Sequence, residues 1–211
     1  MLSARGRGPI RPVVEPIAKL LNKSGVSPNV VTVVGTIAAV GLALILIPQG
    51  HLVAAAITIA IFTAFDLLDG TMARLRGGGT KFGATLDASC DRITDGALFG
   101  AIAWWLVYSS GESRVLVALC LITLVGSQVI SYVKARAEAS GFTVEGGFVE
   151  RAERLIAALL GIGLYGLGFH WALTVALWYL AIGSAITVVQ RLLMVARQPG
   201  ASEHIKAPKG A

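Results

Sequence analysis

Asp66, Asp69, Asp87, Asp91 and Asp95 fall within thirty residues, DLLDGTMARLRGGGTKFGATLDASCDRITD, and the sequence on either side is apolar. Val53 to Phe65 and Ala97 to Val107 carry no charge. Carboxylates at membrane depth are costly unless paired, protonated or bound to metal, and are therefore read as functional. A cluster of acids with too few basic partners suits hard divalent cations. Mg²⁺ takes oxygen ligands and commonly bridges substrate phosphates. Two such ions can stabilise a phosphate undergoing displacement while one carboxylate takes a proton.

The spacing sorts these acids onto helix faces. Asp66 and Asp69 are three apart and share a face, which Ala73 and Arg74 continue a turn later. Gly83, Asp87, Asp91 and Asp95 recur at four-residue steps and form a second stripe. The loop Gly77 to Thr80 predicts two antiparallel helices whose stripes bring four or five carboxylates together. Gly70 and Gly83 let a ligand approach the backbone. Ala73 leaves room, and Arg74 can fork onto a phosphate. Two other readings compete. Asp66 and Asp69 could pair with Arg74 or Arg92 as packing ion pairs, with Gly83 serving close helix contact. An ion-coupled transporter would also keep acids in its spans.

The elements that must hold these residues follow from composition. The chain has 211 residues, a mean hydropathy of +0.74 and 14% charged residues, well under the quarter usual for a soluble domain. At about 20 residues per crossing, it reads as an all-α polytopic membrane protein with six transmembrane helices. The predicted spans are 28–47, 52–75, 82–108, 115–137, 151–168 and 172–195. Ser27 can cap the first, with Pro28 in its opening turn. Ahead of it, residues 1–27 are basic, with Met1 to Arg11 expected to be mobile. A short amphipathic helix over Pro12 to Leu21 is expected to lie on the membrane. Residues 28–197 form the transmembrane domain, and residues 198–211 a polar, disordered tail. No cleavable signal peptide is predicted. Cys90 and Cys120 sit in apolar helices and predict no disulfide framework.

Net charge is +6, and its distribution reads as membrane topology rather than nucleic-acid binding. Sixteen of the eighteen Lys and Arg fall on one side of the six-span arrangement, leaving Arg114 opposite and Arg92 within a helix. That bias places both termini and the carboxylates on the cytoplasmic face of the cell membrane.

The pattern Asp66-x2-Asp69-Gly70-x2-Ala73-Arg74-x8-Gly83-x3-Asp87-x3-Asp91 resembles, without gap or mismatch, the signature of the CDP-alcohol phosphotransferases. Eight fixed positions over 26 residues make it specific. The resemblance implies two Mg²⁺ ions (with Mn²⁺ as an alternative) and transfer of a phosphate-linked group from a CDP-alcohol to a second alcohol, releasing CMP. It further implies that Asp66 and Asp87 contact both metals, Asp69 the first and Asp91 the second, with Asp91 as the base. Gly70, Ala73, Arg74 and Gly83 would shape the CDP pocket, with Thr80 donating a hydroxyl. Asn29, Val30, Val31 and Thr32 resemble the family's other nucleotide-contacting segment. Asp95 lies outside the signature and is read as a helix partner.

The membrane setting points to CDP-diacylglycerol as donor. Lys134, Arg136, Arg151, Arg154 and Arg191 gather near one membrane depth and favour an anionic, phosphorylated acceptor. Topology and anionic-lipid contact are the alternative account of the same charges. SYVKARAEASG together with GGFVERAERL resembles the actinobacterial phosphatidylinositol phosphate synthases, which implies an inositol phosphate acceptor and a homodimer. Ala152 stands where members commonly have Pro, and Asn29 where Asp is frequent. Gly96-x3-Gly100 permits close packing, within or between chains. Sibling enzymes using glycerol 3-phosphate or free inositol remain the competing class.

Overall fold

The computed structural model describes residues 7–204 and is all-helical. Its helices are α1 (Arg7–Lys23), α2 (Pro28–Leu46), α3 (Leu52–Thr63), α4 (Phe65–Leu75), α5 (Lys81–Tyr108), α6 (Arg114–Ala139), α7 (Arg151–Gly166) and α8 (Trp171–Ala196). Among the described residues, four segments are long and apolar enough to cross a membrane: Pro28–Leu46, Leu52–Leu75, Arg114–Ala139 and Trp171–Ala196. Beyond these spans stand α5, which carries the acidic stripe, α7, which has 16 residues, and the N-terminal α1.

Six helices close a ring. α2 packs on α3 and α5, α5 on α6, α6 on α8, α8 on α7, and α7 on α3. The ring's core is apolar and includes Ile47, Ile59, Phe99, Ile102, Ile162 and Leu177. Large apolar side chains also cover its outside, among them Ile37, Ile57, Trp104, Val125, Trp178 and Val189. Exposed apolar surface on that scale calls for a membrane or a partner.

The predicted second span is broken. At Ala64 the amide contacts the carbonyls of Ala60, Ile61 and Phe62, and the chain restarts as α4. No Pro or Gly marks the break. Thr63 supplies a cause: its hydroxyl donates to the carbonyls of Ile59 and Ala60, a back-bond that bends helices. Phe65 then sits where a Cβ on Gly35 would come within 3.1 Å, so α2 and α4 approach closely.

α4 and α5 do not pack along their lengths as the loop predicted. α4 rests on α1 and α2, through Ala18, Val31, Leu68 and Met72. The loop between α4 and α5 opens the angle. Gly77 and Gly78 have φ of +91° and +130°, and the Gly78 amide bonds the Ala73 carbonyl at 3.0 Å, a glycine-closed helix end. Thr80 then caps α5 by accepting from the Gly83 amide.

At the chain's ends, α1 begins five residues earlier than the predicted Pro12. Of the segment expected to be mobile, residues 1–6 lie outside the described residues. At the other end, Gln198 is not loose: its side chain accepts from the Thr143 amide at 3.0 Å and donates to the Thr143 carbonyl at 2.7 Å. The tail expectation for residues 205–211 lies outside the described residues.

Candidate active site

α4 and α5 contribute the acids from opposite sides of a gap beside α2. Asp66, Asp69 and Asp87 each offer an oxygen, and the three lie within 4.8 Å of one another. Asp69 is buried, and the Thr32 hydroxyl on α2 donates to its Oδ2. That bond fixes one carboxylate and leaves its other oxygen for a ligand. Three converging acid groups, of which only Asp66 meets a cation among the described residues (Arg151), fit a hard divalent cation.

Asp91 stands one turn further along α5. Arg151 of α7 reaches it at 2.7 Å and reaches Asp66 at 2.6 Å. The acids therefore form a group of three, with Asp91 joined through a guanidinium. Asp95, another turn along, pairs with Arg154 at 2.8 Å.

Two cavities meet at this acidic centre. The first, of about 760 Å³, is lined by Asn29, Thr32, Asp69, Gly70, Ala73, Thr80 and Gly83. A Cβ on Gly83 would lie 3.1 Å from Asn29 Oδ1, so glycine keeps this wall open. The second, of about 920 Å³, is lined by Asp91, Arg92, Lys134, Arg151, Arg154 and Arg191. Ala84 and Asp87 line both. One chamber is thus rich in small and neutral polar groups, the other in cations, and Asp87 stands between them.

Five of the sequence-predicted residues, Asp66, Val30, Val31, Arg74 and Arg136, line neither cavity, although Asp66 stays within the acid group. Val30 is exposed, and Val31 packs into the small core under α1, because successive helix positions point in different directions and only Asn29 and Thr32 share the cavity face. Arg74 is exposed on α4, where it donates to the Thr71 hydroxyl at 2.8 Å. Arg136 is exposed on α6. Arg191 lines the second cavity, but its guanidinium also donates to the carbonyls of Ile130 and Gly146 at 2.8 and 3.1 Å.

The structure adds residues that the spacing did not single out. Arg76 lines the first cavity and is fixed by Asn22 Oδ1 and the Val26 carbonyl, both at 2.7 Å. Its position against the glycine run in ARLRGGG was the available signal. Arg92 lines the second cavity and donates to Ser131 Oγ and the Ser127 carbonyl. The connection 140–150 is wedged against α8. Val144 and Val149 are fully buried, and Thr187 and Gln190 accept from the Val149 and Phe148 amides. This wedge sets where α7, and hence Arg151 and Arg154, begins.

Residues 25–189 match the family described as CDP-alcohol phosphatidyltransferase. The chain belongs to that family. It is 62% identical to a phosphatidylinositol phosphate synthase of Corynebacterium glutamicum, over all of this chain and 96% of the relative. Crystal structures of Mycobacterium tuberculosis phosphatidylinositol phosphate synthase superpose with a TM-score of 0.88. The one with CDP-DAG bound is 51% identical and covers 93% of this chain and 100% of its own. The one in complex with manganese and citrate is 52% identical and covers 92% of this chain and 94% of its own.

Proposed function

We propose that this chain transfers the phosphatidyl group of CDP-diacylglycerol to inositol phosphate, giving phosphatidylinositol phosphate and CMP. The observation that carries this is the pair of chambers sharing Asp87, one lined for a nucleotide and the other by cations. The names and bound ligands of the relatives support the same assignment.

Asp66, Asp69, Asp87 and Asp91 would hold two divalent ions, Mg²⁺ or Mn²⁺. When bound, these supply Lewis-acid neutralisation of the pyrophosphate and of the departing CMP. The chain's own groups do the rest. Asn29, Thr32, Gly70, Ala73, Thr80 and Gly83 shape the donor chamber. Lys134, Arg151, Arg154 and Arg191 draw in and orient the acceptor's phosphate. The acceptor hydroxyl oxygen then bonds to the phosphatidyl phosphorus as the bond from that phosphorus to the CMP oxygen breaks. Asp91 receives the hydroxyl proton. Holding both reactants in line removes much of the entropic barrier.

The membrane arrangement completes the proposal. α5 lies between the apolar spans α2 and α6, and α7 between α3 and α8, so we assign six crossings. The basic residues put both termini and the chambers on the cytoplasmic face of the cell membrane. α1 rests at that interface with Ile17 and Leu20 outward and Ala18 buried. We take 28–197 as the catalytic domain, flanked by 1–27 and by the tail 198–211. A homodimer is assigned on family resemblance.

Purified protein with CDP-diacylglycerol and Mg²⁺ should release CMP on inositol phosphate, and chelation should stop it. Equal turnover on glycerol 3-phosphate or free inositol would overturn the acceptor. No CMP on any alcohol would favour an ion carrier.

A further inference from the structure

Asp95 lies outside the eight-position pattern, yet it is almost fully buried and sits against the cationic chamber. A single oxygen of this carboxylate, Oδ2, meets two arginines: Arg154 Nη2 at 2.8 Å and Arg92 Nη2 at 3.6 Å. Arg154 is 1% exposed. Its Nε and Nη1 have no hydrogen-bond partner among the described residues, although the side chain lines the chamber. Leaving two guanidinium donors buried and unused is costly, unless they are kept for a ligand. An oxyanion is the ligand for which a planar guanidinium fork is suited.

The pairing extends a ladder. Asp91 meets Arg151, and one turn on Asp95 meets Arg154. α5 and α7 are not neighbours in the ring, so both rungs cross its interior. Arg92 ties the same acid to α6 through Ser131 and the Ser127 carbonyl. Asp95 therefore joins three helices at the wall of the chamber. With Nη2 held by Asp95, the Arg154 guanidinium is kept at the chamber wall with Nε and Nη1 unpartnered among the described residues. Without Asp95, Arg154 would lose the carboxylate that its Nη2 meets, at a chamber wall that Arg92, Arg151 and Arg191 also line.

We infer that Asp95 is a positioning residue for the acceptor: it holds the Arg154 guanidinium so that its free N–H groups receive the phosphate of the incoming alcohol. This rests on the acceptor reading above and deepens it. Asp95 itself lines neither chamber.

The test is the split between acceptor and donor constants, read by CMP release. In Asp95→Asn the KM for inositol phosphate should rise at least tenfold. The KM for CDP-diacylglycerol should stay within twofold and kcat within threefold. Asp95→Glu keeps the charge and should recover most of the loss. Because Asp95→Asn strands a buried cation, it could fail to fold. The double variant Asp95→Asn with Arg154→Gln removes both charges together, so the Arg154 charge is not stranded. Its acceptor KM should equal that of Arg154→Gln alone within twofold, since Asp95 acts through Arg154. A further fivefold rise in the double variant, or an unchanged acceptor KM in a folded Asp95→Asn, would overturn the inference. Wild-type protein run alongside keeps the two levels apart. If it releases no CMP on inositol phosphate, the acceptor reading falls and takes the inference with it. If it turns over normally while Asp95→Asn keeps its acceptor KM, only the role of Asp95 falls.

Discussion

Arg151 Nη2 lies 2.7 Å from Asp91 Oδ1. The other arm of the same guanidinium lies 2.6 Å from Asp66 Oδ2, so one cation on α7 joins carboxylates from α4 and α5. The proposed base is thus held in place by a helix that brings no acid to the metal-binding group. Replacing Asp91 by Asn keeps its shape and removes its charge. Turnover should fall by about two to four orders of magnitude, the usual worth of a positioned base. The protein should still purify as a folded species with wild-type Tm within a few degrees. CMP release at more than a tenth of the wild-type rate would remove Asp91 from that role.

Lysine should not replace Arg151. An ammonium is a compact point charge and cannot offer two parallel arms to Asp66 and Asp91 together. Each charge-assisted bond is worth about 1.5–3 kcal/mol. Arg151→Lys should therefore lower kcat/KM for the acceptor about 10- to 100-fold, while the donor KM changes less. Initial rates at varied inositol phosphate and fixed CDP-diacylglycerol would show it, and wild-type behaviour would make the two-armed contact dispensable.

Thr32 acts one step back from the acids. Its hydroxyl donates to Asp69 Oδ2 from α2, 37 residues away in sequence. Partners that orient a metal ligand typically contribute 10- to 100-fold to metal affinity. In Thr32→Val the Mg²⁺ concentration for half-maximal activity should rise about tenfold, with the maximal rate largely recovered at high Mg²⁺. Direct Mn²⁺ titration should shift in parallel. An unmoved metal curve would reduce Thr32 to packing.

These residues differ in how far the sequence disclosed them. The three- and four-residue steps at Asp66, Asp69, Asp87 and Asp91 depend only on helix geometry, so their faces could be read directly. The all-helical fold followed from apolar runs and from the Ser27 cap, whereas the Thr80 cap of α5 came only with the structure. Which helices adjoin was not written locally. α2 standing beside both acidic helices depends on close approach at Gly35 and on a bend at Ala64 made by threonine back-bonding. The same limit explains Val31, which is adjacent to a cavity residue but points into the core. Among the basic residues, charge and depth grouped Arg136 with Arg151 and Arg154. Arg136 is turned away by its place on α6, two residues from the cavity-lining Lys134, whereas the packing of 140–150 on α8 sets where α7, and with it Arg151 and Arg154, begins. Arg76 escaped notice because its partners, Asn22 and Val26, lie some fifty residues earlier.

Two glycines should separate the chambers by kinetics. A Cβ on Gly83 would lie 3.1 Å from both Asn29 Oδ1 and Thr80 Oγ1, in the wall of the donor chamber. One on Gly183 would lie 2.4 Å from Val149 Cγ2, a contact that forces the wedge ahead of α7 to shift. Overpacking of that kind costs about 1–3 kcal/mol. Gly83→Ala should lower Tm only slightly, through the Thr80 cap it crowds, and raise the KM for CDP-diacylglycerol several-fold, because Asn29 and Thr80, which must give way, both line that cavity. Gly183→Ala should lower Tm by several degrees and raise the acceptor KM, because Arg151 and Arg154 follow directly on the displaced segment. Thermal unfolding in detergent and paired initial-rate series would resolve the two. If both variants moved the same constant, the chambers would not be separate binding sites joined at Asp87.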